Sequence, residues 1–477
     1  MSFKLVLPEK LSSLARRAKD KLDLSVLSAL YNTPLWRRRK EYFLNIAYPS
    51  MQIMGERNSE QVLGNMSRPD MSRGIALYVH VPFCKANCYY CHYYKLFHQS
   101  RERVRSYLAA LAAELQLLEQ AYGPLEARSV YIGGGTPTYL TADEIRDLFQ
   151  IIRRSVTIAG DAEVSLELHP ESGDDERLTA IRECGVNRLS MGVESFDDVI
   201  LKKEHRRHTG DDVRRIYGRA AQLGFSSINL DLIYGLQRQT LDNWESTLDG
   251  FCELRPTSCT MYYLRLKRGT PEFNLWVAGR EGFPPEDELL LMHAMNFERM
   301  ECELGYVQNP VDWFIRDDQH FHIYQDHNWR RSDEIPLIGC GPSAYSAVGG
   351  WQYYNVNDLD RWMATLGEGR LPIWRGEQLS SDERMRRTIM LGIKCSIDRA
   401  LFVRTYGQDP YEAFRPQWDQ LSALGLVTIA PEALRLTHHG KLFADEVGRQ
   451  FYSDAILARM GRVEPELVST TWPQFNQ

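Results

Sequence analysis

The chain has 477 residues, 43% of them hydrophobic and 25% charged, with a formal net charge of −6 and nine cysteines. These values are typical of a large globular protein and exclude a disordered, collagen-like or coiled-coil chain. No apolar run approaches the roughly 18 residues of a transmembrane segment and no secretory signal is recognisable, so we expect a cytoplasmic protein with reduced thiols.

The first 72 residues are predicted to form a basic, helical N-terminal extension. Residues 1–41 carry ten basic and four acidic side chains, which leaves a net charge of −12 for the rest of the chain. Helical spacing over residues 11–26 gives an apolar stripe that we expect to dock on the protein's own fold: Leu11, Leu14, Ala18, Leu22 and Val26. The basic run 37–40 (RRRK) leaves open a nucleic-acid-binding protein, but a solvated helix face is its commoner meaning, so we expect no nucleic-acid partner.

From residue 73 onwards, short apolar runs alternate with longer amphipathic ones. The predicted strands are 76–81, 129–132, 163–168, 188–193, 227–233 and 259–266. The predicted helices between them are 102–122, 142–155, 175–184, 211–223 and 243–254. Parallel strands need such crossovers, so this α/β series is a full barrel, a partial barrel or a doubly wound open sheet. In all three folds the chemistry collects at the carboxyl ends of the strands.

After residue 350 this alternation stops. Helices are predicted over 381–394, 401–406, 410–423 and 440–451, with short strands near 425–429 and 434–437. The pattern predicts a small helical, winged-helix-like domain. The predicted domains are therefore the extension at 1–72, the α/β domain at 73–350 and the C-terminal domain at 351–477.

The strongest chemical signal is Cys84-Lys-Ala-Asn-Cys88-Tyr-Tyr-Cys91, directly after the first of these strands. Three thiolates at this spacing can bind three irons of a [4Fe–4S] cluster and leave the fourth iron open to a small chelating ligand. Structural zinc is the alternative, because His80 or His92 could supply the fourth ligand that zinc usually takes. The other six cysteines are scattered, and we expect them to pack in the core.

This motif, with an aromatic residue before its last cysteine, resembles that of the radical S-adenosylmethionine (SAM) superfamily. Five segments resemble the oxygen-independent coproporphyrinogen III oxidase family: 78–84 (YVHVPFC), 131–138 (YIGGGTPT), 187–193 (NRLSMGV), 231–236 (DLIYGL) and 339–346 (GCGPSAYS). The resemblance runs from about residue 73 to residue 455 and implies a partial (β/α)6 TIM-like barrel. It also implies a [4Fe–4S] cluster and SAM as cofactors, a small-molecule substrate, and an electron donor of the flavodoxin or ferredoxin type.

The resemblance further implies which residues hold the cofactors. The cluster ligands would be Cys84, Cys88 and Cys91. The SAM-binding residues would be Tyr78, Tyr90, His92, Gly134, Gly135, Thr136, Glu167, Glu194, Arg206, Asp231, Ile233, Arg265 and Tyr345. Among these, Tyr78 and Glu167 are the predicted catalytic residues.

Some of these residues have a more specific implied partner on SAM. The glycine loop packs on its amino and carboxylate groups, Glu167 and Asp231 face its ribose, and Arg206 binds its carboxylate. Glu194 stands where the porphyrinogen oxidases usually carry Gln. Arg265 and Tyr345 also depart from the residue types of the family.

Three reactions are compatible with the resemblance. Decarboxylation of porphyrinogen propionates is disfavoured, because family members that perform it carry a further cysteine where this chain has Tyr93. A haem chaperone or haem-degrading protein would need an axial ligand, for which three histidines are candidates: His320, His322 and His327. A polar loop closing the barrel explains these histidines more simply.

The third possibility is the class C radical SAM methyltransferases and the related cyclopropanases, which the chain resembles in the Tyr-Tyr-Lys sequence after the triplet. As that family is understood, a second SAM donates a methylene group to an sp2 carbon. We therefore expect methylation or cyclopropanation of a small molecule, with porphyrinogen decarboxylation or haem handling as the alternative.

Overall fold

The computed structural model describes residues 3–31, 33, 35–36, 47–279, 282–329 and 335–463. The basic run 37–40 therefore lies outside the described residues. Within the described part, no helix is both long and apolar enough to cross a membrane.

The centre of the molecule is a series of six parallel strands that are neighbours in the order in which they occur along the chain. They are β1 (Ile75–Val81), β2 (Leu125–Gly134), β3 (Val156–Leu168), β4 (Arg188–Glu194), β5 (Ser227–Tyr234) and β6 (Ser258–Tyr263). The crossover helices are Arg101–Tyr122, Ala142–Ser155, Asp175–Glu183, Asp198–Lys203, Gly210–Gln222 and Leu241–Leu254. This arrangement confirms the predicted α/β class and its six βα units.

Shorter strands extend the sheet on both sides. Leu337–Cys340 runs parallel to β1 and is followed by antiparallel strands at Tyr345–Val348, Trp351–Asn355, Ile373–Gln378 and Gly55–Glu56. Beyond β6, Trp313–Ile315 and Val307–Gln308 add two antiparallel strands. The predicted boundary at residue 350 falls within this run of strands, and the division into domains stays a prediction.

Each central strand has an apolar face and a polar face. Val130, Leu166 and Leu230 belong to the main core, where the helices pack. The alternating residues carry polar groups that bond to one another between strands, such as Ser190, Asn229 and Thr260. Because side chains alternate along a strand, the polar face lines the inside of the curved sheet and leads to the strands' carboxyl ends.

The N-terminal extension forms two helices, Ser13–Asp20 and Leu24–Tyr31, rather than one helix over 11–26. The break has a local cause, because the Asp23 carboxylate accepts the backbone N–H of Ser25 at 2.8 Å and caps the second helix. Leu14, Ala18 and Leu22 are buried as expected. The first helix packs on the helix Glu286–Phe297, so the stripe docks on the protein's own fold.

The remaining helices of the central part are Ser59–Gly64, Pro271–Val277, Ile323–Trp329 and Leu359–Gly367. Towards the C-terminus the chain forms helices at Ser381–Gly392, Arg399–Tyr406, Pro410–Ala413, Arg415–Ala423, His438–Leu442, Ala444–Arg449 and Asp454–Val463. The predicted wing is a three-stranded sheet of Ile397–Asp398, Val427–Ile429 and Ala433–Leu436.

Two predicted C-terminal helices are each divided in the structure. The helix expected over 410–423 breaks at Phe414, because Pro416 has no N–H for the helical hydrogen-bond pattern and occupies the first turn of a new helix. The helix expected over 440–451 breaks at Phe443, whose backbone leaves the helical region and whose ring is buried in the core.

Candidate functional site

The three cysteines of the triplet lie on one loop at the carboxyl end of β1. The loop is closed at its base, where Phe83–Cys84 pairs with Leu96–Phe97. Cys84 is buried, while Cys88 and Cys91 are half-buried. Burial, with a smaller contribution from the nearby thiols of Cys91 and Cys88, raises the pKa of the Cys84 thiol to about 12. The three thiols are therefore near enough to one another for their charges to interact.

Groups from other strand ends surround these thiols. The Thr136 hydroxyl lies 3.4 Å from the Cys84 sulfur, and an Arg206 N–H donates to the Cys88 sulfur at 3.5 Å. Three neighbouring soft thiolate donors with a guanidinium beside them fit an iron–sulfur cluster. In the part of the chain that the structure describes, no group of three or more Cys, His, Asp or Glu side chains is placed to hold a single metal ion.

The two histidines considered as zinc ligands have other contacts. The His80 ring is hydrogen-bonded on both nitrogens, to the Tyr78 hydroxyl at 3.0 Å and to the Tyr94 carbonyl at 2.9 Å. The His92 ring stacks on Tyr93, with 4.6 Å between the ring centroids. His80 thus holds the Tyr78 hydroxyl by a hydrogen bond, a role that the sequence did not indicate.

The glycine loop after β2 brings its backbone against the cysteine loop. The Gly135 N–H donates to the Val81 carbonyl at 2.8 Å, and a Cβ at Gly135 would lie 2.8 Å from the Phe83 carbonyl oxygen. Gly134 has a φ of +114°, and a Cβ there would meet the His80 ring at 2.7 Å. Only glycine fits both positions, because the β1 end and the cysteine loop occupy the space of a side chain.

Glu167 lies at the end of β3 beside this loop. Its carboxylate accepts the Tyr131 hydroxyl at 2.8 Å and the Gly134 N–H at 3.2 Å. Burial raises the pKa of Glu167 to about 7, and the negative charges of Asp231 and Glu194 act in the same direction. The carboxylate is therefore held by neutral donors only, among other carboxylates.

Asp231, on β5, is held in a similar way. It accepts the Ser190 hydroxyl at 2.8 Å and the Asn229 amide at 2.9 Å, and burial raises its pKa. Ser190 and Asn229 were not predicted as site residues, although strand alternation gives a signal for both. Asn229 lies two residues before Asp231 on the same strand, and Ser190 lies on the neighbouring strand. The same signal marks Tyr131, which lies on the strand beside that of Glu167.

Glu194, Tyr90 and Arg206 form a third contact group. The Tyr90 hydroxyl donates to Glu194 at 2.9 Å, and the Arg206 guanidinium lies 3.4 Å from the same carboxylate oxygen. Glu194 adopts a left-handed backbone with φ of +65°, and the register between β4 and β5 shifts between Gly192 and Glu194. This bulge aims the carboxylate at Arg206, so the unusual acidic residue is paired inside the protein.

The mouth of the barrel is lined by the end of the cysteine loop and by β5. Tyr93 is 52% exposed there, and the charges acting on it come from Glu167, Cys91, Arg265 and Asp231. Ile233 is buried in a small apolar cluster against which the Tyr90 ring packs. Tyr93 thus faces the same opening as the two buried carboxylates.

Two predicted site residues are engaged elsewhere. Arg265 forms ion pairs with Asp445 and, at 3.5 Å, with Asp312. The Tyr345 hydroxyl donates to the Gln352 side chain. These contacts do not connect Arg265 or Tyr345 to the buried carboxylates described above. The roles of all the predicted site residues stay predictions.

Two of the three candidate axial histidines contact polar residues of the central strands, whereas His320 lies beside Arg316 and Asp317 of its own segment. His322 is buried 3.4 Å from Glu163, and His327 is hydrogen-bonded to the Ser129 hydroxyl at 3.0 Å. Between them Tyr324 stacks on Tyr131, with centroids 4.8 Å apart. These contacts agree with a polar segment that closes the barrel.

Comparison with known proteins gives matches over most of the chain. A family model of the radical SAM superfamily matches residues 78–250, and one of the HemN C-terminal domain matches residues 379–443. The haem chaperone HemW of Bacillus subtilis is 30% identical over 380 residues, which cover 79% of this chain and 99% of the chaperone. The oxygen-independent coproporphyrinogen III oxidase of Pseudomonas aeruginosa is 30% identical over 391 residues, covering 78% of this chain and 84% of that enzyme.

A solved structure is similar over nearly its full length. The coproporphyrinogen III oxidase HemN of Escherichia coli, described as a radical SAM enzyme, aligns with a TM-score of 0.70 at 26% identity. The alignment covers 83% of this chain and 94% of that structure.

Proposed function

Because the chain belongs to the oxygen-independent coproporphyrinogen III oxidase-like family of the radical SAM superfamily, we propose that it oxidises a propionate-bearing tetrapyrrole by a radical mechanism. It is a radical SAM enzyme whose cofactors are a [4Fe–4S] cluster and SAM. The expected methyl transfer has less support, since the relatives described above are named as porphyrinogen oxidases and a haem chaperone.

The observation that carries the proposal is a group of cations at the barrel mouth. Burial lowers the pKa of His92 to about 4, and the positive charges of Lys267 and Lys95 act in the same direction. Arg265 adds to this effect but is itself paired with Asp445 and Asp312, so the two lysines are the cations that we assign to the substrate. Porphyrinogens carry carboxylates on flexible propionate arms, and cations around a partly desolvated opening favour such a polyanion. The exposed Tyr93 ring beside them offers an apolar face to a macrocycle.

The bound cofactors, given one electron, supply methionine and a 5′-deoxyadenosyl radical that removes a hydrogen atom from the substrate. Glu167 and Asp231 would accept hydrogen bonds from the ribose hydroxyls, while Arg206 would pair with the carboxylate of SAM. These contacts would orient the reacting carbon of SAM, and a bound substrate would complete the exclusion of water. Loss of the hydrogen atom, of carbon dioxide and of one electron to an external one-electron acceptor would together convert the propionate arm into a vinyl group.

The experiment is anaerobic incubation of the reconstituted enzyme with SAM, reductant and coproporphyrinogen III labelled with deuterium on the propionate carbons. We expect carbon dioxide, a vinyl product and deuterium in 5′-deoxyadenosine. The Cys88→Ala variant is the control for non-enzymatic loss of carbon dioxide. Formation of 5′-deoxyadenosine with no label and no decarboxylated product would contradict the proposal.

One observation favours a second candidate, methylation or cyclopropanation with a second SAM. Tyr93 occupies the position at which, by resemblance, the decarboxylating enzymes carry a cysteine, and its ring projects into the mouth. Methyl-deuterated SAM separates the two candidates, because only the second transfers that label to 5′-deoxyadenosine. Haem handling would instead appear as tight haem binding without either product.

A further inference from the structure

The segment that follows β4 has a buried side and a basic exposed side. Glu204, Arg206 and His208 are buried, whereas Lys203, His205 and Arg207 alternate with them and are exposed. Lys202, in the last turn of the helix Asp198–Lys203, is also exposed. Of the inward residues, Arg206 belongs to the site described above, and none of the outward residues does. We call the exposed side the basic surface: Lys202, Lys203, His205 and Arg207.

The basic surface covers the outer side of the cysteine loop. A nitrogen of the His205 ring is hydrogen-bonded to the Asn87 carbonyl at 2.9 Å, and the Tyr89 N–H donates to the Glu204 carbonyl at 3.3 Å. The rings of Tyr89 and His205 stack, with centroids 5.3 Å apart and an angle of 22° between their planes. Since Tyr89 follows Cys88 directly, a single layer of residues separates this surface from a predicted cluster ligand.

The charges of the basic surface are poorly compensated. Among the described residues, Lys202 and Lys203 form no ion pair, and the carboxylate nearest to Arg207 is that of Glu171 at 3.9 Å. Exposed arginines elsewhere are paired more closely, such as Arg146 with Glu183 at 2.9 Å and Arg214 with Glu253 at 2.8 Å. On a protein of net charge −6, the two lysines therefore present positive charge that no described carboxylate compensates.

We propose that the basic surface docks an acidic protein that carries a low-potential one-electron group, with the Tyr89–His205 ring pair between that group and Cys88. The inference rests on the proposed function, because the reaction consumes one electron per SAM cleaved. In the docked complex the partner is oxidised by one electron and the cluster is reduced by one. Opposite charges on the two surfaces would accelerate their encounter and fix its orientation, with a strong dependence on salt.

The test uses the double variant Lys202→Glu/Lys203→Glu of the reconstituted enzyme. The matched control is Arg16→Glu/Lys19→Glu, which makes the same charge change at two exposed residues of the helix Ser13–Asp20. Binding of an acidic flavodoxin and, separately, of a [2Fe–2S] ferredoxin is measured by calorimetry at low and high salt. Formation of 5′-deoxyadenosine is measured with each reduced protein and, in parallel, with dithionite, which needs no docking surface.

We expect the Lys202/Lys203 variant to bind at least one of the two donors about tenfold or more weakly at low salt and to lose a similar factor in donor-driven SAM cleavage. Its dithionite-driven rate should stay within about twofold of the wild type, and the Arg16/Lys19 control should match the wild type throughout. Unchanged donor binding, or equal losses with donor and dithionite, would overturn the proposal, as would a wild type that binds neither donor. Failure of the proposed function is separate, since it would leave these SAM-cleavage readouts intact and remove only the tetrapyrrole product.

Discussion

Two regions near the mouth of this barrel bury carboxylates, and they stabilise them in different ways. Inside the mouth, Glu167 is held by the neutral Tyr131 hydroxyl and the Gly134 N–H, and its pKa is raised to about 7. At the contact with the C-terminal part, buried Asp445 pairs with two cations, Arg265 and, at 2.6 Å, Lys394. Among the described residues, Asp445 is thus neutralised by cations of the protein, whereas Glu167 has only neutral donors, and we propose that a ligand supplies its missing partner.

By this contrast, the charge of Asp445 has a structural role, whereas that of Glu167 is available to bind a ligand. A buried carboxylate without a cation costs stability, and a protein retains it where a ligand supplies the missing positive charge or donor. The sulfonium, amino and hydroxyl groups of SAM are such groups. Asp445 needs no ligand, because both of its oxygens face cations of the protein itself.

The largest expected effect comes from removing a ligand of the predicted iron–sulfur cluster. Cys88→Ala should reduce SAM cleavage by at least about 10⁴-fold, because the cluster loses one of three protein ligands. The measurements are 5′-deoxyadenosine formation with dithionite and the iron and sulfide content after anaerobic reconstitution. Cys302→Ala, at an exposed cysteine, is the control and should retain both. A Cys88 variant with full cleavage would remove the basis for assigning this loop to the cluster.

Removing the buried charge of Asp445 should lower the free energy of unfolding by a large amount. Asp445→Asn leaves Lys394 and Arg265 without their shared carboxylate, and breaking a buried ion pair in this way costs about 3–5 kcal/mol. Urea unfolding followed by circular dichroism would measure the loss. Glu432→Gln, which removes an exposed partner of Arg435, is the control and should change the unfolding free energy little. A stable Asp445 variant that binds SAM weakly would reverse the assignment of the two regions.

For Glu167, in the mouth, we expect the opposite: a loss of SAM affinity rather than a loss of stability. Glu167→Gln keeps the size of the side chain but removes its charge, and we expect SAM to bind about 10–100-fold more weakly. Equilibrium dialysis of the reconstituted enzyme with SAM measures this change. Glu163→Gln is a matched control on the same strand and face, four residues nearer its start, where the carboxylate faces Arg188 and His322. It should lower stability without a comparable change in SAM affinity; equal affinity losses in both variants would argue against a specific role of Glu167.

The fold was largely predictable because its signals are local. Apolar runs of strand length, separated by amphipathic helices, identify six βα units, and the cysteine spacing identifies the loop of the predicted cluster. The break at Phe414 has a local sign in Pro416, which starts a new helix, but apolar periodicity alone does not register a proline. The break at Phe443 was missed because the buried position of its ring depends on tertiary packing, of which apolar periodicity gives no sign.

The candidate site was predictable where its residues lie at strand ends and not where they depend on distant contacts. Glu167 and Asp231 lie near the ends of predicted strands, and the family resemblance implied their place in the site. The aim of Glu194 depends on a bulge between two strands, which no local pattern reveals. The pairing of Arg265 with Asp445 joins residues 180 positions apart, so the sequence could not show that this cation is already engaged.

The smallest predicted effect is on the pH dependence of stability, and it isolates the charge of Glu167. The pKa of Glu167 is about 7 in the folded protein, against an ordinary value of 4.5. Between these values the folded state binds a proton that the unfolded chain has released, so the unfolding free energy falls as the pH rises and levels off above about 7. The nearby carboxylates Asp231 and Glu194 act in the same direction, since burial raises the pKa of each.

Replacing Glu167 by Gln should therefore remove only its own share, about 1–2 kcal/mol, of the stability lost between about pH 5 and about pH 7.5. The measurement is urea unfolding of the cluster-free protein at a series of pH values, with Glu60→Gln, at an exposed helix position, as the control. SAM should become a stronger ligand over the same range, because its positive charge favours ionised Glu167. A Glu167→Gln variant with the slope of the wild type would mean that this carboxylate is already ionised throughout, and that the mouth compensates its charge as fully as the Asp445 contact does.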